Sequence, residues 1–116
     1  MDRKIALFIF TDRAEMFAHA VLNALDMFER DMDVRIVLDG RATRVLKKAG
    51  KAGDPAGFLL SEALGASLVD CVCQSCADRY RTLDAAVQMN LPLTEPAQGH
   101  PSIADYLAQG YEILTF

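Results

Sequence analysis

The densest chemistry in this chain is Cys71-Val72-Cys73-Gln74-Ser75-Cys76, three thiols within six residues. Sulfur acts as nucleophile or metal ligand as the thiolate, so the surroundings of these atoms decide what they can do. The apolar run Leu68 to Cys73 has the composition of a strand, and Ser75 with Asp78 has the spacing of a helix start. The cluster is thus expected where a strand gives way to a helix, at the sheet edge where open α/β proteins bind ligands. A helix dipole there favours thiolate. Its contribution of about 0.3–1 kcal/mol lowers a thiol pKa by less than about one unit, so a cation such as Arg79 has to help.

Cys73 and Cys76 have the redox spacing Cys-x-x-Cys, in which Cys76 can attack a persulfide or sulfenate on Cys73 and close a disulfide. Cys71 is expected on the same side of the strand but deeper in the sheet, packed as a small hydrophobe. Three thiols fall short of the four ligands that structural zinc takes, and no second pair exists. His100 joins them only if a long loop folds back, and His19 belongs to the polar side of a helix. No resident metal and no cofactor are therefore expected.

The elements that must hold these residues alternate between strand and helix. Ile5 to Phe10 is an unbroken apolar run, as for a strand covered on both faces. Asp12 with Glu15 has capping-box spacing, and Phe17, Val21, Ala24, Leu25 and Phe28 then recur at helical intervals. Val34 to Leu38 is a second strand ended by Asp39-Gly40. A helical pattern returns over Thr43 to Ala49. Asp54-Pro55 opens a helix whose buried side is expected to include Phe58, Leu59 and Ala63, with Gly65 as its stop. Beyond the cysteines, Ala77, Tyr80, Leu83 and Val87 predict one packed helix. Asn90 to Pro101 is a loop, with a possible fifth strand near Leu93-Thr94. A short helix from Pro101 to Gly110 and a terminal strand from Tyr111 to Phe116 complete the pattern. Alternation of this kind predicts a single α/β domain over residues 1–116. It is a small three-layer fold, with a parallel sheet of four to five strands and helices on both faces.

Composition narrows the function classes. The chain has 116 residues, 52% of them hydrophobic, and a net charge of −4. That size supports an ordinary core, and that charge argues against nucleic acid or an anionic membrane as partner. Arg44, Lys47, Lys48 and Lys51 are expected to be the solvated face of a short helix. The apolar stretch after Lys4 is shorter than a usual signal-peptide core, and clustered cysteines in odd number suit a reducing cytoplasm. Thr11-Asp12-Arg13 lacks the glycines of a phosphate loop.

With the strands placed, the chain resembles the DsrE/DsrF-like family, which includes TusD-type sulfur-relay subunits and YchN-like proteins. The likeness rests on the apolar first strand with its long helix and on Val34-Arg35-Ile36-Val37-Leu38-Asp39-Gly40. It rests also on Gly65-Ala66 before the strand ending in Cys73, and on Gly110-Tyr111-Glu112-Ile113-Leu114-Thr115-Phe116. In relay members a cysteine ends the third strand and an arginine follows six positions later, as Cys73 and Arg79 do here. The chain departs from the pattern by lacking the Arg-Gly glycine and by carrying Cys71 and Cys76.

The resemblance implies a cytoplasmic carrier of sulfane sulfur, sulfurtransferase-like if catalytic, with a persulfide on Cys73. Cys76 would assist or resolve, and Arg79 would stabilise negative charge. It also implies homo-oligomers, trimers or hexamers, meeting donor and acceptor proteins. Two alternatives stand beside it: an oligomeric binding or scaffold module whose cysteines only pack, and a thiol-based redox or metal sensor.

Overall fold

Residues 5–9 offer no polar side chain to water, and such a segment is stable only between two neighbours and beneath cover on both faces. In the computed structural model, which describes residues 3–94 and 99–116, this segment is an inner strand. The strands are β1 (Lys4–Ile9), β2 (Asp33–Leu38), β3 (Val69–Val72) and β4 (Glu112–Thr115). They form one parallel sheet in the order β3-β2-β1-β4. The helices are α1 (Ala14–Glu29), α2 (Pro55–Gly65), α3 (Gln74–Arg79), α4 (Leu83–Gln88) and α5 (Ile103–Ala108), with a 3-10 segment at Gly40–Lys48. Helices flank the sheet on both sides, as the alternation predicts. Among the described residues, the fifth strand is reduced to a parallel bridge between Val72 and Leu93.

The two faces are covered unequally. Ile5, Leu7, Ile9, Ile36, Leu38 and Val72 point into one cluster with Phe17, Val21 and Ala24 of α1 and Ala56, Leu60 and Ala63 of α2. Val45 and Leu46 of the 3-10 segment and Ala77 and Ala86 of α3 and α4 complete it. Burying each Leu, Ile or Phe here contributes about 1.5–3 kcal/mol. The opposite face carries Ala6, Phe8 and Val37 under Tyr106 of α5 and Tyr111. Phe8 and Tyr106 meet edge to face at 5.4 Å.

Strand pairing between β2 and β3 slips by one residue between Ile36 and Val37. The extra residue is Asp70, and a one-residue slip exchanges the sides of everything after it. Cys71 consequently packs on the α5 face and Val72 in the larger cluster.

Several local expectations change. Asp12 does not cap α1: the N-cap is Arg13, and Asp12 instead pairs with Arg44 at 3.1 Å. Asp54 does cap α2, accepting from Gly57 N at 2.9 Å. Phe58, however, is 62% exposed, and Ala56 and Leu60 hold the core positions beside Ala63. Phe28 and Val87 are exposed too. The single helix expected after the cysteines is two, because Arg81 adopts a left-handed φ of 60° between α3 and α4. Among the described residues, no helix is long and apolar enough to cross a membrane.

Candidate functional site

The ends of β2 and β3 lie side by side in the parallel sheet, so the residues leaving both strands emerge together. Asp39 leaves β2, and Cys73 leaves β3 as the N-cap of α3. Cys76 sits in the first turn of that helix. A carboxylate oxygen of Asp39 and the Sγ atoms of Cys73 and Cys76 all lie within 4.8 Å of one another. Cys76 Sγ donates to Asp39 Oδ1 at 3.5 Å, and the same oxygen accepts from Gly40 N at 2.7 Å.

Cys73 itself is fully buried, contrary to the expectation of an accessible sulfur at the mouth of the sheet. Polar atoms nevertheless meet its sulfur. Sγ donates to the Gly99 carbonyl at 3.1 Å and lies 3.4 Å from Ser75 Oγ. Ser75 Oγ donates to the same carbonyl at 2.6 Å. Ser75, expected to cap α3, is instead the tie that holds Gly99 over the cysteine. Gly99 carries a φ of 74°, which glycine adopts without strain. Cys76, partly exposed, is the more reachable thiol of the pair.

The electrostatics run opposite to the dipole argument. Burial pushes the Cys76 thiol up to about 11, helped by its hydrogen bond with Cys73 and by the nearby Cys73 and Asp39 charges, although Gly40 N–H pulls the other way. A six-residue helix offers little dipole to offset this. The expected helper is also missing, since Arg79 is exposed at the far end of α3 and joins no hydrogen bond or ion pair among the described residues. The cluster is two thiols and a carboxylate with no cation in it.

Cys71 stands apart. It is half-buried rather than sunk in the sheet, and it lines a hollow of about 260 Å³ with Asp70, His100 and Tyr106. Burial, then the Asp70 charge, pushes its thiol up to about 11. His100 belongs to this hollow and not to the Cys73–Cys76 pair, and its Nδ1 lies 3.0 Å from the Pro101 carbonyl. His19 is exposed on α1. Asp39, which the sequence marks only as the end of β2, is the member of the cluster that residue spacing did not single out. The signal was there, since Asp39-Gly40 ends the strand that must neighbour β3.

A second polar group occupies the α5 face. Arg35 pairs with Asp33 at 3.0 Å and with Asp70 at 2.9 Å, Tyr106 donates to Asp70, and Tyr111 donates to Asp33 at 3.1 Å. Burial works to raise the Asp33 carboxyl, but hydrogen bonds from Arg35 and Tyr111 hold it below its ordinary value. Burial and the bond to Asp70 raise the Tyr106 phenol.

The fold has a counterpart among solved structures. The chain is similar to a conserved protein of unknown function, BT1422, from Bacteroides thetaiotaomicron, with a TM-score of 0.69 at 18% identity over 97% of this chain and 94% of that one. At that identity the likeness speaks for the architecture alone. No protein-family model and no curated protein matches the chain.

Proposed function

We propose that the protein is a thiol-dependent carrier of sulfane sulfur, of the kind its resemblance to the DsrE/DsrF-like family implies. The supporting observation is the convergence of Cys73, Cys76 and Asp39 within 4.8 Å at the carboxyl ends of β2 and β3. The greater exposure of Cys76 favours roles in reverse of the sequence expectation. Cys76, the reachable sulfur, accepts the sulfane atom, and Cys73, buried behind it, resolves.

The chemistry balances without an outside oxidant. Cys76 thiolate attacks the terminal sulfur of a donor persulfide, forming Cys76–S–SH and releasing the donor thiol. An acceptor thiol then takes the outer sulfur. Where none arrives, Cys73 attacks the inner sulfur, closing Cys73–S–S–Cys76 and expelling hydrogen sulfide. At neutral pH the raised Cys76 pKa keeps that thiol protonated, which blocks its attack. A positive group brought to Asp39 by a docking donor would lift that block, because an adjacent cation favours thiolate. The same reading carries a reducing, cytoplasmic setting, donor and acceptor proteins, and a homotrimer or homohexamer that sedimentation would reveal.

The deciding experiment is mass spectrometry after incubation with inorganic polysulfide. The expected product is a +32 Da adduct, one sulfur atom, that Cys76→Ser abolishes and Cys73→Ser retains. No adduct, or one confined to Cys71, would leave the cysteines a packing role in an oligomeric scaffold.

A second reading is favoured by the donor set. Two thiols and a carboxylate at this separation fit three corners of a tetrahedral zinc ion, whose ligands at about 2.3 Å stand about 3.8 Å apart. Metal binding would release the thiol protons, so affinity would climb steeply with pH. Titration with Cd²⁺, followed by its thiolate charge-transfer band, distinguishes this metal-sensor reading. A band lost in both Cys73→Ser and Cys76→Ser supports it.

A further inference from the structure

We propose that a second site, independent of the thiols, binds a small phosphate-bearing anion in the hollow between the β1–α1 connection, the 3-10 segment and the α3–α4 turn. The hollow has a volume of about 310 Å³, and Arg44, Lys47, Lys48 and Lys51 line it, with Asp12 and Tyr80. Four cations face a single carboxylate in a chain whose net charge is −4. Asp12 is already committed to Arg44, and the three lysines take part in no ion pair among the described residues. Like charges gathered this closely repel one another, and with 16 acidic residues in the chain the sequence had ample means to neutralise them. An anionic ligand supplies what the fold withholds.

The local backbone explains why the cations converge. In a 3-10 helix residues three apart lie one above the other, so Arg44 and Lys47 stand on one ridge instead of fanning out as on an α-helix. Val45 and Leu46 anchor the other side of the segment in the core. At its end, α2 packs so closely on the Lys48 carbonyl that a Cβ on Gly57 would come within 1.8 Å of it. Gly57 therefore fixes the backbone carrying Lys47 and Lys48. Arg44 is held from two sides, by Asp12 and by the Tyr80 ring 5.8 Å from its guanidinium carbon. A guanidinium steadied in this way retains N–H donors for a bidentate grip on phosphate.

The shape selects the ligand class. Cations around a concavity of this volume suit a small molecule, whereas an extended polyanion would call for a stripe across an open surface. The place also fits, outside the carboxyl end of β1, where open parallel sheets take ligands.

Isothermal titration of the full chain with inorganic pyrophosphate at low salt tests the assignment. Saturable binding at one site per chain is expected, weakened at least about tenfold in Lys47→Gln/Lys48→Gln, which removes two charge-assisted contacts to the anion. The exposed or half-exposed positions of these lysines should leave the fold intact, which circular dichroism verifies. Arg3→Gln/Arg30→Gln removes the same charge far from the hollow and should leave affinity within about twofold. Cys73→Ala/Cys76→Ala should bind like the parent, so failure of the sulfur reading would not touch this one. The proposal is overturned by absent or non-saturable binding, by equal weakening in both double variants, or by indifference to Lys47→Gln/Lys48→Gln. Preferential binding of single-stranded oligonucleotide or phosphatidylserine vesicles over pyrophosphate would also overturn it.

Discussion

Two of the polar clusters in this molecule differ in one telling respect: the cluster on the α5 face contains a cation and the thiol cluster at the carboxyl edge does not. Arg35 stands between Asp33 and Asp70, and two tyrosines complete the hydrogen bonding, so Asp33 is held ionised. Asp39 has only thiols and a backbone N–H for company, and Cys76 is held protonated. The first arrangement is complete and needs nothing further. The second gains from any positive charge that arrives. This contrast separates a group that steadies the fold from the one to which the proposal above assigns a reaction.

The comparison can be broken most forcefully from the complete side. Arg35→Met leaves two carboxylates facing each other beneath α5. Because the arginine is half exposed, solvent screens much of the effect, and a loss of about 1–2 kcal/mol is expected in urea unfolding. An unchanged midpoint would mean the network is ornamental. On the reactive side, Asp39→Asn removes the negative charge beside Cys76. Alkylation of that thiol at pH 8 should then accelerate up to about tenfold, the equivalent of one pKa unit. Slower labelling would show that Asp39 activates the sulfur. Tyr106→Phe deletes one hydrogen bond to Asp70 and should cost about 1 kcal/mol, read by thermal melting.

The pH dependence sharpens the same contrast, because the two clusters respond to opposite ends of the scale. The folded Asp33 carboxyl lies below its unfolded value, so its stabilisation is present above about pH 4 and lost as pH falls through the folded pKa. Cys71 and Cys76 lie above theirs, so their contribution is complete below about pH 9 and lost as pH rises towards 11. Urea midpoints measured across that range should fall at both ends, and Cys71→Ala/Cys76→Ala should flatten only the alkaline fall. The smallest effect belongs to Gly99→Ala. The added methyl meets Ser75 at ordinary contact distance, but the φ of 74° is strained for alanine, by about 1 kcal/mol or less. Loosening that cover should modestly quicken labelling of Cys73.

Local signals carried most of the architecture. The apolar runs at Ile5 and Val34 have one reasonable conformation, and Asp54-Pro55 announces its helix by side-chain geometry within four residues. The misreadings share a cause, which is a partner distant in sequence. Asp12 looks like a cap until Arg44 comes beside it, and Ser75 looks like one until Gly99 does. Phe28, Phe58 and Val87 recur at helical intervals, yet periodicity alone does not say which flank of a helix meets the sheet. The site was half legible: the pair Cys73 and Cys76 stood out by spacing, whereas Asp39 joins them only through the adjacency of β2 and β3. The raised thiol pKa was invisible, because it follows from burial rather than from residue type.

The irregularity at Asp70 has a consequence for any chain built on this plan. A chain that kept Asp70 but paired it opposite Val37, without the slip, would move Cys71 opposite Leu38 and exchange the directions of Cys71 and Val72. The sulfur atoms would all remain, but they would be re-addressed: one would enter the aliphatic interior, and the turn carrying Cys73 would leave the strand on a different heading relative to Asp39. Counting cysteines in a relative is therefore insufficient, and the phase of the strand beneath them has to be counted as well.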